Sequence, residues 1–161
     1  MSKRILIFAA AAVLWCGVIF YLSSQPAEES SETSGFFVDL ICDHIVPGFD
    51  ERSPAQQDEI RHNITVAVRK GAHFSAYALL GALAFGACGF IERKKLRSAA
   101  AVGSACLFSA TDEFHQTFVP GRSGEVRDVI IDTCGAAFAV AVILLVFLIR
   151  EKRKKGREPK D

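Results

Sequence analysis

At 161 residues the chain has room for one domain and too little for a membrane domain together with a sizeable soluble one. Half of its residues are hydrophobic and lie in long runs, while a formal net charge of +1 provides no global field for nucleic acid. Of its five cysteines, four lie inside apolar runs and Cys42 lies in a polar connection; with no C-x-x-C pair, they read as small apolar residues and argue against a zinc or disulfide framework.

Ile5 to Leu22 is an apolar run long enough to cross a ~30 Å hydrocarbon core. Lys3 and Arg4 precede it, and it carries Trp15 and Tyr21. A signal peptide shares that pattern. However, Ser23-Ser24-Gln25-Pro26 has no A-x-A cleavage site and Trp15 before Cys16 spoils a lipobox, so an uncleaved anchor is expected. In the long connection that follows, Phe36, Phe37, Leu40, Ile41 and Ile45 recur at helical spacing, which predicts a short helix lying at the membrane interface. Pro47-Gly48 marks a turn. Ser53-Pro54 then reads as an N-cap with proline at the first helical position, opening a helix through Gln56, Glu59 and Asn63. Three further apolar runs follow, at Ala72 to Ile91, Ala99 to about Phe114, and Val129 to Ile149.

The expected fold is all-α: an integral membrane bundle of four transmembrane helices, with short interfacial helices in the first extracytoplasmic loop. Residues 1–150 form the membrane domain and 151–161 a basic tail, expected to be disordered and drawn to anionic lipid. The basic clusters are Lys3 and Arg4, the group Arg93, Lys94, Lys95 and Arg97, and the tail from Arg150 to Lys160. With four spans these clusters share one face, so the positive-inside rule places both termini in the cytoplasm. Residues 23–71 and 115–128 then lie outside.

Three stretches place polar groups where the spans meet that outer face. Arg69, His73 and Tyr77 are four residues apart and form one stripe, with Lys70 beside it. Asp112 and Gln116 share a face at the end of the third run, Glu113 points to another, and His115 lies in the same stretch. Asp128 and Asp132 make a carboxylate stripe at the start of the fourth. Between them, Pro120-Gly121 and Gly124 form a tight turn presenting Arg122. An unpaired ion in hydrocarbon costs at least about 2.5 to 3.5 kcal/mol, so these groups are expected to meet, with carboxylates pairing Arg69, Lys70 and Arg122.

Such a cup supports two readings. As a site, His73 or His115 beside a carboxylate would serve as general base, and the arginines would hold a phosphate or carboxylate. Asp112, His115, Asp128 and Asp132 also supply oxygen and nitrogen donors for a divalent metal, although H-E-x-x-H is absent. Nucleophiles are scarce: Ser75 lies within a helix, and Ser123 lacks the strand-to-helix setting of a nucleophile elbow. As a clasp, the same ion pairs would pin the helices together and Tyr77 would serve as an interfacial anchor.

Several pieces in order resemble the VanZ-like family: Leu22 to Pro26, Arg69-Lys70-Gly71-Ala72-His73-Phe74-Ser75-Ala76-Tyr77, Asp112-Glu113-Phe114-His115-Gln116 running to Arg122, and Asp128 with Asp132-Thr133-Cys134-Gly135. The name-giving member is associated with teicoplanin resistance in Gram-positive bacteria. The resemblance implies a multi-pass protein of the bacterial plasma membrane acting at the cell envelope. It also implies that the motif residues, with Gln25, form a shared outer-face site. The partners it points to are membrane lipids and a lipid-linked cell-wall precursor or the glycopeptide itself.

Overall fold

The computed structural model describes residues 2–155 and is built from five α-helices. They are α1 (Lys3–Ser23), α2 (Ala27–His44), α3 (Pro54–Ala87), α4 (Lys94–Gln116) and α5 (Val126–Lys155), with a 3-10 turn (Cys88–Phe90) after α3. No strand occurs among the described residues. α3 opens as its sequence dictates, with Pro54 at its first position and the Gln56 side chain accepting the Ser53 backbone N–H at 3.2 Å.

Among the described residues three helices are long and apolar enough to cross a membrane: α1, α3 with its 3-10 turn, and α5. The apolar run expected as a third span is helical, as α4, but is not among them. Lys94, Lys95 and Arg97 at its start and Asp112 and Glu113 near its end lower its hydropathy. The helix expected from Ser53 and the second span are one continuous rod. Its 34 residues give about 50 Å at 1.5 Å per residue, well beyond the ~30 Å of a hydrocarbon core. The tail, expected to be disordered from residue 151, continues as helix to Lys155; 156–161 lie outside the described residues.

α2, at 18 residues, is longer than the short segment expected. Val38 and Cys42 face the first half of α3 and pack with Phe49 against Ile60, Ile64 and Val68. Cys42, read from sequence as part of a polar connection, is fully buried. Phe36, Phe37, Leu40 and Ile45 stay exposed, and Asp39 pairs with Arg61 of α3.

The four longer helices α1, α3, α4 and α5 pack side by side around small residues. Gly81 meets Ala136 and Gly135 meets the Phe74 backbone, letting α3 and α5 approach closely. Ala101 and Ala105 of α4 are buried in the same interior as Leu80, Phe85 and Val140. The large apolar side chains Leu6, Ile7, Val13 and Leu14 of α1 and Phe138, Leu145 and Leu148 of α5 point outward, as lipid-facing surfaces do.

This packing defines two ends. At one, Gly89 lies against Ile5 and Arg97, Arg97 donates to the Phe85 carbonyl at 2.7 Å, and Lys94 pairs with Glu151 at 2.8 Å. At the other, the end of α1, the middle of α3, the end of α4 and the start of α5 meet. The polar residues collect there.

Candidate functional site

The site forms because α4 presents Ser109, Asp112, Glu113 and Gln116 at i, i+3, i+4 and i+7, a single helical face turned into the bundle. All four are buried. Ser23 at the end of α1 donates to Asp112 at 2.6 Å, and Ser109 donates to Asp132 of α5 at 2.6 Å. The Gln116 amide donates to Glu113 at 2.9 Å, while the other Glu113 oxygen accepts the Glu125 backbone N–H at 2.9 Å. Glu113, expected on a different face from Asp112, shares the buried face of Ser109, Asp112 and Gln116, and the loop before α5 holds its carboxylate there.

From α3 come His73 and Tyr77. His73 Nδ1 lies 3.3 Å from Asp132 Oδ1, close enough to touch but without hydrogen-bond alignment. Tyr77 is fully buried and packs on Phe108, with its hydroxyl unpartnered among the described residues, so it is no interfacial anchor. Asp112 Oδ1 is likewise without a hydrogen-bond partner.

The cations do not distribute as expected. Of Arg69, Lys70 and Arg122, Lys70 alone pairs with carboxylates among the described residues, meeting Asp128 directly and Glu125 at 3.6 Å. Arg122 sits in a four-residue turn closed by its N–H to the Val119 carbonyl, with Pro120 and Gly121 at the centre and Gly121 at φ +72°. From there its guanidinium donates to the carbonyls of Gln25 (2.8 Å) and Leu22 (3.3 Å) and to the Gln116 side chain (3.3 Å). Burial, together with the nearby Arg69 charge, lowers the Arg122 pKa from its ordinary value. Arg69 makes no hydrogen bond or ion pair among the described residues.

Beside this network lies a cavity of about 390 Å³ between α1, α2 and α3. Ile19, Leu22, Phe37 and Val68 supply an apolar wall, and Arg69, His73, Gln25 and Arg122 a polar one. A second cavity of about 220 Å³ holds Lys70, Glu125 and Asp128, and His73 lines both.

His73, Asp112, Asp132, Glu113, Gln116, Arg122 and Tyr77 are therefore brought to one end of the bundle, with Arg69, Lys70, Gln25 and Asp128 at its edge. His115 is not drawn in: its ring stacks on Phe20 with centroids 4.3 Å apart, and no carboxylate pairs with it among the described residues. Of the donors suggested for a metal, Asp132 alone belongs to the group whose ligand atoms converge, which is His73, Glu113 and Asp132. Sequence reasoning carried Ser23 only within the Leu22–Pro26 piece and missed Ser109 and the Glu125 backbone. Ser109 was visible, since it lies three and four residues before Asp112 and Glu113 on the same face.

Residues 8–148 match the family model described as VanZ/LLP1. The chain belongs to the VanZ/LLP1 family. It is a VanZ-like membrane protein, and every motif assembled at the polar end lies within the matched span. Comparison with curated proteins and with solved structures gave no match.

Proposed function

We propose that this VanZ-like protein is a four-span protein of the bacterial plasma membrane whose extracytoplasmic end recognises the anionic headgroup of a membrane lipid or lipid-linked cell-wall precursor. The observation that carries the reading is Arg69, an arginine without an ion-pair partner among the described residues, at a cavity whose other wall is apolar. An amphiphile presents those two surfaces together: a phosphate for the guanidinium and hydrocarbon for Ile19, Leu22 and Phe37.

The packing supports this topology. α4 runs alongside α3 and α5 from the basic end to the polar end, and its 23 residues reach about 35 Å, enough for a span. Its charged ends contact other helices at both limits, through Lys94 with Glu151 and Asp112 with Ser23. Lys3, Arg4, Arg93, Lys94, Lys95 and Arg97 then fall at the cytoplasmic end, with both termini. The exposed apolar residues Phe36, Leu40 and Ile45 support a position for α2 at the outer interface. Residues 1–150 form the membrane domain in this reading, followed by the basic cytoplasmic tail 151–161. By family likeness, the envelope role extends to teicoplanin resistance.

The test is lipid binding by the purified full chain in nanodiscs, comparing phosphatidylglycerol with phosphatidylcholine and wild type with Arg69→Gln. Loss of one charge-assisted contact of about 1.5–3 kcal/mol predicts a ten- to hundredfold weaker preference for the anionic lipid. Equal affinity of both proteins for both lipids would sink the reading. A second reading, a helix clasp without ligand, is favoured by one specific observation: Arg122 is committed to carbonyls and Gln116. It predicts that Arg69→Gln changes nothing and that teicoplanin tolerance depends on stability alone.

A further inference from the structure

The polar end holds three carboxyl groups with no lysine or arginine nitrogen within 4.0 Å among the described residues: Asp112, Glu113 and Asp132. They are 1%, 5% and 0% exposed, so water does not offset them, and the one basic side chain in ion-pair range among the described residues is the His73 imidazole beside Asp132. Asp132 and Glu113 differ from Asp112 in what lies nearby. One ligand atom from each of His73, Glu113 and Asp132 falls within 4.8 Å of the others. His73 Nδ1 and Asp132 Oδ1, 3.3 Å apart, find no hydrogen bond with each other or with any other described group. A pair poorly angled for a proton between them is well spaced for a common ion. Two ligands at about 2.1 Å from a tetrahedral metal stand about 3.4 Å apart.

We propose that His73 Nδ1, Asp132 Oδ1 and a Glu113 carboxylate oxygen bind one divalent first-row transition-metal ion. The imidazole selects against magnesium and calcium, and the two carboxylates with no thiolate select manganese through zinc over softer ions. Each carboxylate is held from behind. Ser109 donates to the second Asp132 oxygen, and the Gln116 amide and Glu125 N–H fix Glu113, as outer partners orient metal ligands. Asp128 stays outside because Lys70 already occupies it. Three protein ligands leave coordination positions open, and His73 borders both cavities, so those positions are reached from the polar end. The ion site stands independently of the headgroup reading, since it uses neither Arg69 nor the apolar wall.

The experiment is metal binding without lipid. The full chain, purified in detergent and stripped with chelator, is reloaded with Mn²⁺ or Zn²⁺; metal content is read by mass spectrometry and affinity by calorimetry. Wild type and the distant control Asp39→Asn should take up one equivalent. His73→Gln and Asp132→Asn should lose more than about tenfold in affinity. Less than a tenth of an equivalent on folded wild type overturns the proposal, as does unchanged affinity in both variants. Because the buried variants are at risk of misfolding, pulsed electron paramagnetic resonance of Mn²⁺-loaded wild type supplies the second measurement. Imidazole nitrogen coupling to the metal is expected, and its absence overturns the assignment.

Discussion

The tightest crossing in the bundle makes the most demanding prediction. A Cβ placed on Gly135 of α5 would stand 2.2 Å from the Phe74 carbonyl oxygen and 3.0 Å from its carbon, against 3.4 Å or more for ordinary contact. Both atoms belong to the α3 backbone, so no side chain can swing away. In Gly135→Ala the helices must part by more than an ångström. Overpacking of this kind costs about 1–3 kcal/mol, of which alanine's better helix propensity returns up to about 1. Gly103 of α4 has nothing within 4 Å, so Gly103→Ala should gain that propensity without a clash. The propensity gain is common to both, so the two variants should differ by the overpacking cost, about 1–3 kcal/mol, in mixed-micelle unfolding. Trp15 is the reporter, because its indole donates to the Ala76 carbonyl at 2.9 Å, two residues beyond the crossing. Parting α3 from α5 should also separate His73 from Asp132, which flank the crossing, and so weaken metal uptake in parallel. Equal stability of Gly135→Ala and Gly103→Ala would refute the close approach.

Three other outcomes follow from named contacts. Lys70 and Asp128 are both more than three-quarters buried, so Lys70→Met should cost about 1–3 kcal/mol, between exposed and buried ion pairs, and Lys70→Asp with Asp128→Lys should recover at least half; no recovery in unfolding titrations would count against the pair. Ser109→Ala removes a buried bond to Asp132 and should cost about 1.5–3 kcal/mol, whereas Ser104→Ala, which loses a bond to its own helix, should stay within about 0.5; similar midpoints for the two would contradict the network. For topology, alkaline phosphatase fused after Asp50 should be active and a fusion after Lys155 inactive. Activity at both positions would mean that α4 does not cross.

The polar stripes were legible because helical spacing alone puts Arg69, His73 and Tyr77, or Asp128 and Asp132, on common faces. How the stripes pair was not. Arg122 looked like a partner for carboxylates because charge was the only information available. The Val119–Arg122 turn instead aims it at the carbonyls left open at the end of α1, a contact set by chain path and not by residue type. Glu113 was set apart from Asp112, and its partner, a backbone N–H twelve residues on, carries no sequence signature. The count of spans has the same origin. A hydropathy window averages over the whole circumference of α4, so Ser109, Asp112, Glu113 and Gln116 subtract from it as though they faced lipid. In the folded bundle they face α1, α3 and α5, leaving Leu107 and Phe114 on the outside. Part of what lowers α4 below a span's hydropathy, with Lys94, Lys95 and Arg97 at its start, is thus what makes it the wall of the site. A helix recruited to carry buried polar groups should look least like a membrane span where it is most fully enclosed by others.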